Sequence, residues 1–237
     1  MEGYGLTETS PVIAVNTPHS FRPGTVGKPL TGVEVRTADD GEILVRAPSV
    51  FQGYWHMPEE TQNAFDGEWF KTGDIGSLDE AGFLSVTDRK KDLIKTSGGK
   101  FIAPQPIENR LKRNPLVSEA ALMGDRRRFP SALIAPAFPA LEDWAKQHGI
   151  TFNSHEELVA DARIIALYEE VVAHLNQDLA RFEQIKKFIL LPEQPNIADG
   201  TMTPTLKLRR RQLEARYREQ IELLYAEAAV LEPREAA

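Results

Sequence analysis

Residues 88–100 read Asp88-Arg89-Lys90-Lys91-Asp92-Leu93-Ile94-Lys95-Thr96-Ser97-Gly98-Gly99-Lys100. Five of the thirteen are basic, in a chain whose net charge is -7. Leu93 and Ile94 are the only large apolar side chains in the stretch. A short charged connector running into a glycine pair suits a hinge between two bodies. Glycines admit positive φ and let a backbone pass close to a ligand. Fixed cations beside them suit a phosphate or another anion. A solvated surface turn has the same composition, so its neighbours on either side must decide.

Upstream, from Phe21 to Val86, the pattern is β. Val33–Arg36 and Glu42–Arg46 alternate apolar and polar residues around Asp39-Asp40-Gly41, a hairpin turn signal. Leu78 and Phe83–Val86 flank a second turn, Asp79-Glu80-Ala81-Gly82. Trp69-Phe70 lead into Lys71-Thr72-Gly73-Asp74, which reads as a tight turn. Short strands separated by turns predict a small barrel or sheet.

Downstream the pattern changes. Pro104–Arg113 reads as a helix with proline at its start and Ile107 and Leu111 on one face. Val117–Met123, Ala132–Ala135 and Lys187–Leu191 read as strands. His155–Phe182 reads as one long helix, with Leu158, Ala162, Ile165, Val172, Leu175, Leu179 and Phe182 on a buried face. Asn196–Pro204 is a polar loop and Leu208–Val230 a final helix, followed by a frayed tail from Leu231 to Ala237. Helices and strands without βαβ regularity predict an α+β fold. The boundary is expected near Lys90-Lys91, giving domains over residues 1–90 and 91–237.

Composition narrows the function. The 237 residues suffice for one large or two ordinary domains. With no cysteine, thiol nucleophiles, disulfides and thiolate-bound metals are excluded. The histidines, His19, His56, His148, His155 and His174, have no metal-binding spacing. No apolar run approaches a membrane span, and the first residues lack the basic and apolar regions of a secretory signal. The acidic balance argues against nucleic acid, although Arg126–Arg128 and Arg209–Arg211 are local basic clusters. A cytoplasmic protein acting on small molecules is expected. Arg126–Arg128 reads as a solvated loop, with a docking patch for phosphates or a membrane surface as the alternative.

Three places could carry chemistry. Tyr4-Gly5-Leu6-Thr7-Glu8 puts a hydroxyl and a carboxylate on a glycine loop. Those groups suit a phosphate and a Mg²⁺ ion, which prefers one or two carboxylates plus phosphate oxygens; an ordinary turn would look alike. Asp74 could accept from both hydroxyls of a ribose, or cap its turn. Lys207, in Thr203-Pro204-Thr205-Leu206-Lys207-Leu208-Arg209-Arg210, is a solvated lysine unless its loop swings into a cleft. There its ammonium would offset charge developing between a carboxylate and a phosphate, an effect of roughly 3–4 kcal/mol on a barrier.

In their order, Tyr4-Gly-Leu-Thr-Glu8, Lys71-Thr-Gly-Asp74, Asp88–Lys100 and Thr203-Pro-Thr-Leu-Lys207 closely resemble the C-terminal half of the adenylate-forming superfamily. That superfamily holds acyl-CoA synthetases, peptide-synthetase adenylation domains and luciferases. The resemblance spans essentially the whole chain. The Thr-Pro-Thr-Leu-Lys-Leu-Arg-Arg form and the helical segment around His155–Phe182 are most similar to long-chain fatty acid–CoA ligases. Many other members carry a Ser-Gly-Lys form at the last motif. The resemblance implies an α+β fold made of the small β end of a large adenylation domain and a compact, mobile C-terminal domain.

It also implies roles. Thr7 would contact nucleotide phosphates and Glu8 the Mg²⁺ ion, with Tyr4 and Gly5 on the nucleotide loop and Tyr4 stacked near adenine. Asp74 would hold the ribose hydroxyls, assisted by Arg89. Lys91 stands at the family's hinge position. Gly98 would line the path of the pantetheine arm of CoA, and Lys100 stands where the family often has Arg or Gln near phosphate. Lys207 would be the lysine of adenylation. The implied substrates are ATP, CoA and a fatty acid; the implied reaction is acyl-adenylate formation followed by thioester formation, with AMP released. Two alternatives are a relative that loads a carrier protein and a non-catalytic interaction module. The family's phosphate loop and most of its acyl pocket are expected upstream of Tyr4. The chain is therefore expected to be part of a longer enzyme, inactive alone, in the cytoplasm, with peripheral membrane contact as a further option.

Overall fold

The structure, a computed structural model, describes residues 2–231. Of the tail expected from Leu231 to Ala237, Leu231 instead ends a helix, and residues 232–237 lie outside the described residues. The chain divides between Leu93 and Ile94 into two compact units.

The first unit is antiparallel β. Strands β1 (Gly3–Gly5), β2 (Val12–Val15) and β3 (Lys28–Pro29) form a three-stranded sheet in that order. The remaining strands are β4 (Glu34–Thr37), β5 (Glu42–Arg46), β6 (Phe65–Asp66), β7 (Trp69–Leu78) and β8 (Leu84–Arg89). They make a sheet of order β4-β5-β7-β6 with β8 also paired to β7. The Asp39-Asp40-Gly41 turn joins β4 to β5, with Gly41 at φ 82° and its N–H donating to the Ala38 carbonyl. Ile13, Ala14, Ile43, Val45 and Leu84 form the buried core between the sheets. Each such aliphatic side chain contributes about 1.5–3 kcal/mol when fully buried. A short helix, α1 (Pro58–Ala64), begins on proline, which the strand pattern did not anticipate.

Thr72-Gly73-Asp74 does not form the tight turn expected from sequence. It lies inside the ten-residue β7 as a bulge, where the register against β5 slips between Glu42 and Leu44. Gly73 takes φ +71°, the conformation a bulge of this kind requires.

The second unit opens on a hairpin, β9 (Ile94–Lys95) and β10 (Phe101–Ile102), closed by Thr96-Ser97-Gly98-Gly99-Lys100. Helix α2 (Pro104–Leu111) follows, with proline at its first turn. The central sheet has β11 (Val117–Met123) antiparallel to β12 (Ser131–Pro136), and β13 (Lys187–Leu190) parallel to β12. Helices α3 (Phe138–Gln147), α4 (His155–Ala160) and α5 (Ala162–Asn176) lie between β12 and β13; α6 (Arg210–Arg216) and α7 (Arg218–Leu231) end the unit. Successive residues of a strand face opposite sides. Accordingly Ala120, Leu122, Ala132 and Ile134 pack into one core with α2, α3, α4 and α5. Ala121, Met123, Leu133 and Ala135 pack into a second with Leu213, Tyr217 and Ile221. The sheet is thus covered on both faces, which explains why every residue of β12 is buried.

Two helical expectations are corrected. The single helix over His155–Phe182 is α4 and α5, parted at Asp161, and it ends at Asn176. Asp161 is extended (φ -66°, ψ 130°) and its carboxylate accepts from the Arg163 N–H at 2.8 Å, an N-cap. One extended residue resets the helical phase, so Ile164, not Ile165, enters the core, and Phe182 is exposed. The final helix is likewise two, with Tyr217 between α6 and α7, and it starts at Arg210 instead of Leu208. Helix α3 was not anticipated; its Phe138, Leu141 and Ala145 line the first core.

Candidate active site

In the first unit, β7 and β8 place Asp74 opposite Arg89 in register. The bulge is held by neighbours on both sides. Thr72 Oγ1 donates to the Ile43 carbonyl at 2.8 Å and accepts from the Asp74 N–H at 3.1 Å. The Gly73 N–H donates to Glu42 Oε1 at 3.0 Å. Asp74 is thereby turned inward and is 2% exposed. Its two oxygens take different donors: Tyr4 Oη on Oδ2 at 2.6 Å, and Arg89 Nε near Oδ1 at 2.7 Å. A carboxylate oxygen has two lone pairs, so each can still accept one further hydrogen bond. Burial, and then the hydrogen bond to Asp74, push the Tyr4 phenol well above its ordinary pKa, so it stays a donor.

Gly5 ends β1 under steric compulsion: a Cβ there would lie 1.7 Å from the Pro11 carbonyl oxygen. Thr7 and Glu8 belong to a 3-10 turn clasped by Thr9, whose hydroxyl accepts from the Leu6 N–H at 3.0 Å and donates to the Pro11 carbonyl at 2.7 Å. Thr7 is exposed. Glu8 Oε1 accepts from Tyr54 Oη at 3.1 Å. Among the described residues no cluster of three His, Cys, Asp or Glu could hold a metal. Glu8 therefore suits Mg²⁺ only as a single carboxylate ligand beside phosphate oxygens and water.

Lys91 is exposed on the 3-10 turn Lys90–Asp92 and has no ion-pair partner among the described residues. Its neighbour Lys90, which motif reading passed over, pairs with Asp40 at 2.7 Å and Glu42 at 2.6 Å. Those hydrogen bonds, Asp40's first, raise the Lys90 pKa. Glu42 is 5% exposed and so joins the Gly73 amide to Lys90. Its only sequence signal was its place directly after a hairpin turn.

In the second unit, Gly98 and Lys100 sit on the exposed β9–β10 turn, where Gly99 takes φ +77°. That turn is tied to the arginine loop: the Ser97 N–H donates to the Arg127 carbonyl and the Arg126 N–H to the Lys95 carbonyl. Arg126 is solvated, its side chain 93% exposed. Arg127 instead pairs with Glu222 and lies over the Tyr225 ring.

Lys207 stands on a separate loop. The loop is closed by the Met202–Leu208 bridge, by the Thr203 N–H on the Lys207 carbonyl at 2.8 Å, and by the Lys207 N–H on Thr203 Oγ1 at 3.0 Å. Leu206, at φ +58°, is held in the left-handed region. The Lys207 side chain is exposed and has no ion-pair partner among the described residues. Tyr4, Asp74 and Arg89 are thus brought into one cluster, Gly98 and Lys100 onto one turn, and Lys207 onto a loop of its own. No helix among the described residues is long and apolar enough to cross a membrane.

Residues 91–229 match the family described as AMP-binding enzyme C-terminal domain, and residues 1–55 match the family described as AMP-binding enzyme. The chain is 42% identical over 225 residues to long-chain-fatty-acid–CoA ligase FadD15 of Mycobacterium bovis, covering 94% of this chain and 38% of that ligase. It is 35% identical over 240 residues to long-chain-fatty-acid–CoA ligase 1 of Homo sapiens, covering 95% of this chain and 34% of the human protein. Among solved structures it is similar to o-succinylbenzoate coenzyme A synthetase of Bacillus subtilis in complex with ATP and magnesium ion. That match has a TM-score of 0.62 and 29% identity and covers 90% of this chain and 41% of that one. The chain therefore spans between about a third and two fifths of the length of these relatives.

Proposed function

Because this chain belongs to the AMP-binding enzyme family, we propose that it is the C-terminal portion of an ATP-dependent long-chain fatty acid–CoA ligase. Residues 1–90 are then the end of the large adenylation domain, and 91–237 the mobile C-terminal domain. In the first half-reaction a carboxylate oxygen of the fatty acid attacks the α-phosphorus of ATP, and pyrophosphate leaves with the cleaved P–O bond. In the second, the sulfur of CoA attacks the acyl carbon; its proton goes to solvent and AMP leaves. Little covalent chemistry falls to the protein, which positions groups and stabilises charge.

The observation that carries this reading is the Tyr4–Asp74–Arg89 cluster. A buried carboxylate with one donor on each oxygen and one lone pair left on each is prepared to accept both hydroxyls of a ribose. Thr7 supplies a hydroxyl for phosphate. Glu8 offers one carboxylate to Mg²⁺, which when bound neutralises phosphate charge. Lys207, without an ion-pair partner among the described residues, is a cation available to the carboxylate and α-phosphate. Gly98 lines the approach of the CoA arm, Lys100 stands near phosphate, and Lys91 carries the change of backbone conformation between the half-reactions. The family's phosphate loop is expected in the rest of a longer ligase, and the sequence holds no Gly-x-x-x-x-Gly-Lys-[Ser/Thr] loop as a substitute, so the chain alone is expected to be inactive.

The test is pyrophosphate release from ATP, Mg²⁺ and a long-chain fatty acid, by the 237-residue chain and by the longer ligase carrying Asp74→Asn. Loss of a charged acceptor is worth roughly 1.5–3 kcal/mol, so the KM for ATP should rise about 10–100-fold. An unchanged KM would remove the ribose role of Asp74. Acid-dependent release by the chain alone would overturn the need for an upstream loop.

A further inference from the structure

The exposed loop bearing Lys207 is fastened to the sheet of its unit by a charge pair between Arg210, which ends the Thr203–Arg210 stretch, and Glu108, which no motif marks. Glu108 lies on α2 and is 8% exposed. Its Oε1 accepts from the Leu122 N–H of β11 at 2.7 Å and from Arg210 Nη2 at 2.6 Å. Arg210 is the first residue of α6 and stands three residues after Lys207. Its Nε is buried without a hydrogen-bond partner. At the other end of α6, Arg216 pairs with Asp199 at 2.6 Å and with Glu193. Asp199 in turn accepts from the Thr201 N–H at 2.9 Å, and Thr201 accepts from the Arg209 N–H at 2.8 Å. Both ends of the helix are therefore tied down by ion pairs, and the loop from Met202 to Leu208 is strung between fixed points.

Stability alone does not account for this arrangement. Arg210 keeps 24% of its side chain exposed, yet its Nε is buried and unpaired, and a buried donor left unpaired lowers stability. What the pair provides is a defined position. Thr203, Pro204, Thr205, Leu206 and Lys207 have no buried side chain of their own, so packing cannot fix the loop. Arg210 can, because Glu108 on α2 holds it while also accepting from the Leu122 N–H of β11.

We propose that Glu108 and Arg210 are positioning residues for Lys207, setting where its ammonium stands during adenylation. The proposal rests on the reading of Lys207 as the adenylation lysine. Displacing a catalytic group by about 1 Å costs roughly 10²-fold in rate. In the longer ligase, Arg210→Ala should lower the kcat of adenylation about 10–100-fold, leave the KM for ATP in place, and leave thioester formation from supplied acyl-adenylate unchanged. Arg210→Lys should restore part of the loss and Glu108→Gln should reproduce part of it. In the 237-residue chain, amide exchange at Leu206 and Lys207 should accelerate in Arg210→Ala while β11 and β12 remain protected.

Unaltered exchange at Leu206 and Lys207, or equal loss in both half-reactions with exchange spreading through β11 and β12, would overturn the positioning role. Lys207→Ala separates the two readings. If it spares adenylation, the role of Lys207 is wrong, and the exchange experiment still reports whether Arg210 holds the loop.

Discussion

Tyr4 donates its phenolic hydrogen to Oδ2 of Asp74 across 2.6 Å, joining the first strand of the chain to a bulge seventy residues later. The motif resemblance implied a role for the Tyr4 ring against adenine. The structure adds a role for its hydroxyl, which holds Oδ2 of the buried carboxylate. Tyr4→Phe removes the hydroxyl and keeps the ring. A buried acceptor that loses one of two donors costs about 1–3 kcal/mol, so the variant should be less stable by that order in denaturant unfolding. Its KM for ATP should rise several-fold while kcat changes little. An unchanged midpoint and an unchanged KM would mean that Arg89 alone suffices to hold Asp74.

The Asp40–Lys90–Glu42 cluster should make the first unit's stability depend on pH at both extremes. The hydrogen bond from Lys90 is the largest cause lowering the Asp40 pKa below its ordinary 3.8. A depressed carboxyl stabilises above its unfolded value, and that contribution is lost as pH falls through the lower folded value. Lys90 is raised above 10.5 by its two carboxylates, so its contribution is complete below pH 10.5 and is lost as pH rises through the higher folded value. Lys90 and Asp40 are each more than two fifths exposed, so solvent screening keeps the effect of that pair small. Thermal unfolding should show a plateau between these limits, and Lys90→Met should lower it and flatten the alkaline edge. A variant curve parallel to the parent's above pH 10.5 would mean that the pair contributes nothing.

Leu206 occupies a conformation that suits glycine, at φ +58°, and its side chain gains little, being 68% exposed. A left-handed non-glycine residue costs about 1–2 kcal/mol, and glycine adds about 0.5–1 kcal/mol of unfolded-state entropy. Leu206→Gly should therefore be neutral or stabilising by up to about 1 kcal/mol. Leu206→Val, with a branched Cβ, should destabilise by about 1–2 kcal/mol and slow adenylation. Chemical denaturation of the two variants beside the parent chain is the check, and equal midpoints for glycine and valine would contradict it.

Lys207→Ala removes a cation without disturbing a buried contact. Losing one preorganised transition-state donor slows a reaction by about 10²–10³-fold, and that loss should fall on adenylation alone. Thioester formation from supplied acyl-adenylate should proceed at the parent rate. Equal loss in both half-reactions, followed separately in single-turnover experiments, would contradict the assignment of Lys207 to one step.

Sequence alone determined the features that depend on residues a few positions apart. The Asp-Asp-Gly and Asp-Glu-Ala-Gly turns, the proline-led start of α2 and the extents of β5 and β11 are all local in this sense, and the order of the four motifs needs only the sequence to be read. Tertiary structure decided what distant residues do to one another. The extended Asp161 splits an apparently continuous helix because capping the second helix wins over continuing the first. Helix α3 escaped notice although its apolar face is needed to cover one side of β12. Asp74 lies in a bulge within a strand because Thr72 and Gly73 find partners on β5 that no local pattern announces. The clamp on Asp74 and the Glu108–Arg210 pair join residues 70 and 102 positions apart. Burial gives such pairs their strength by removing competing water, and burial exists only once the chain has folded.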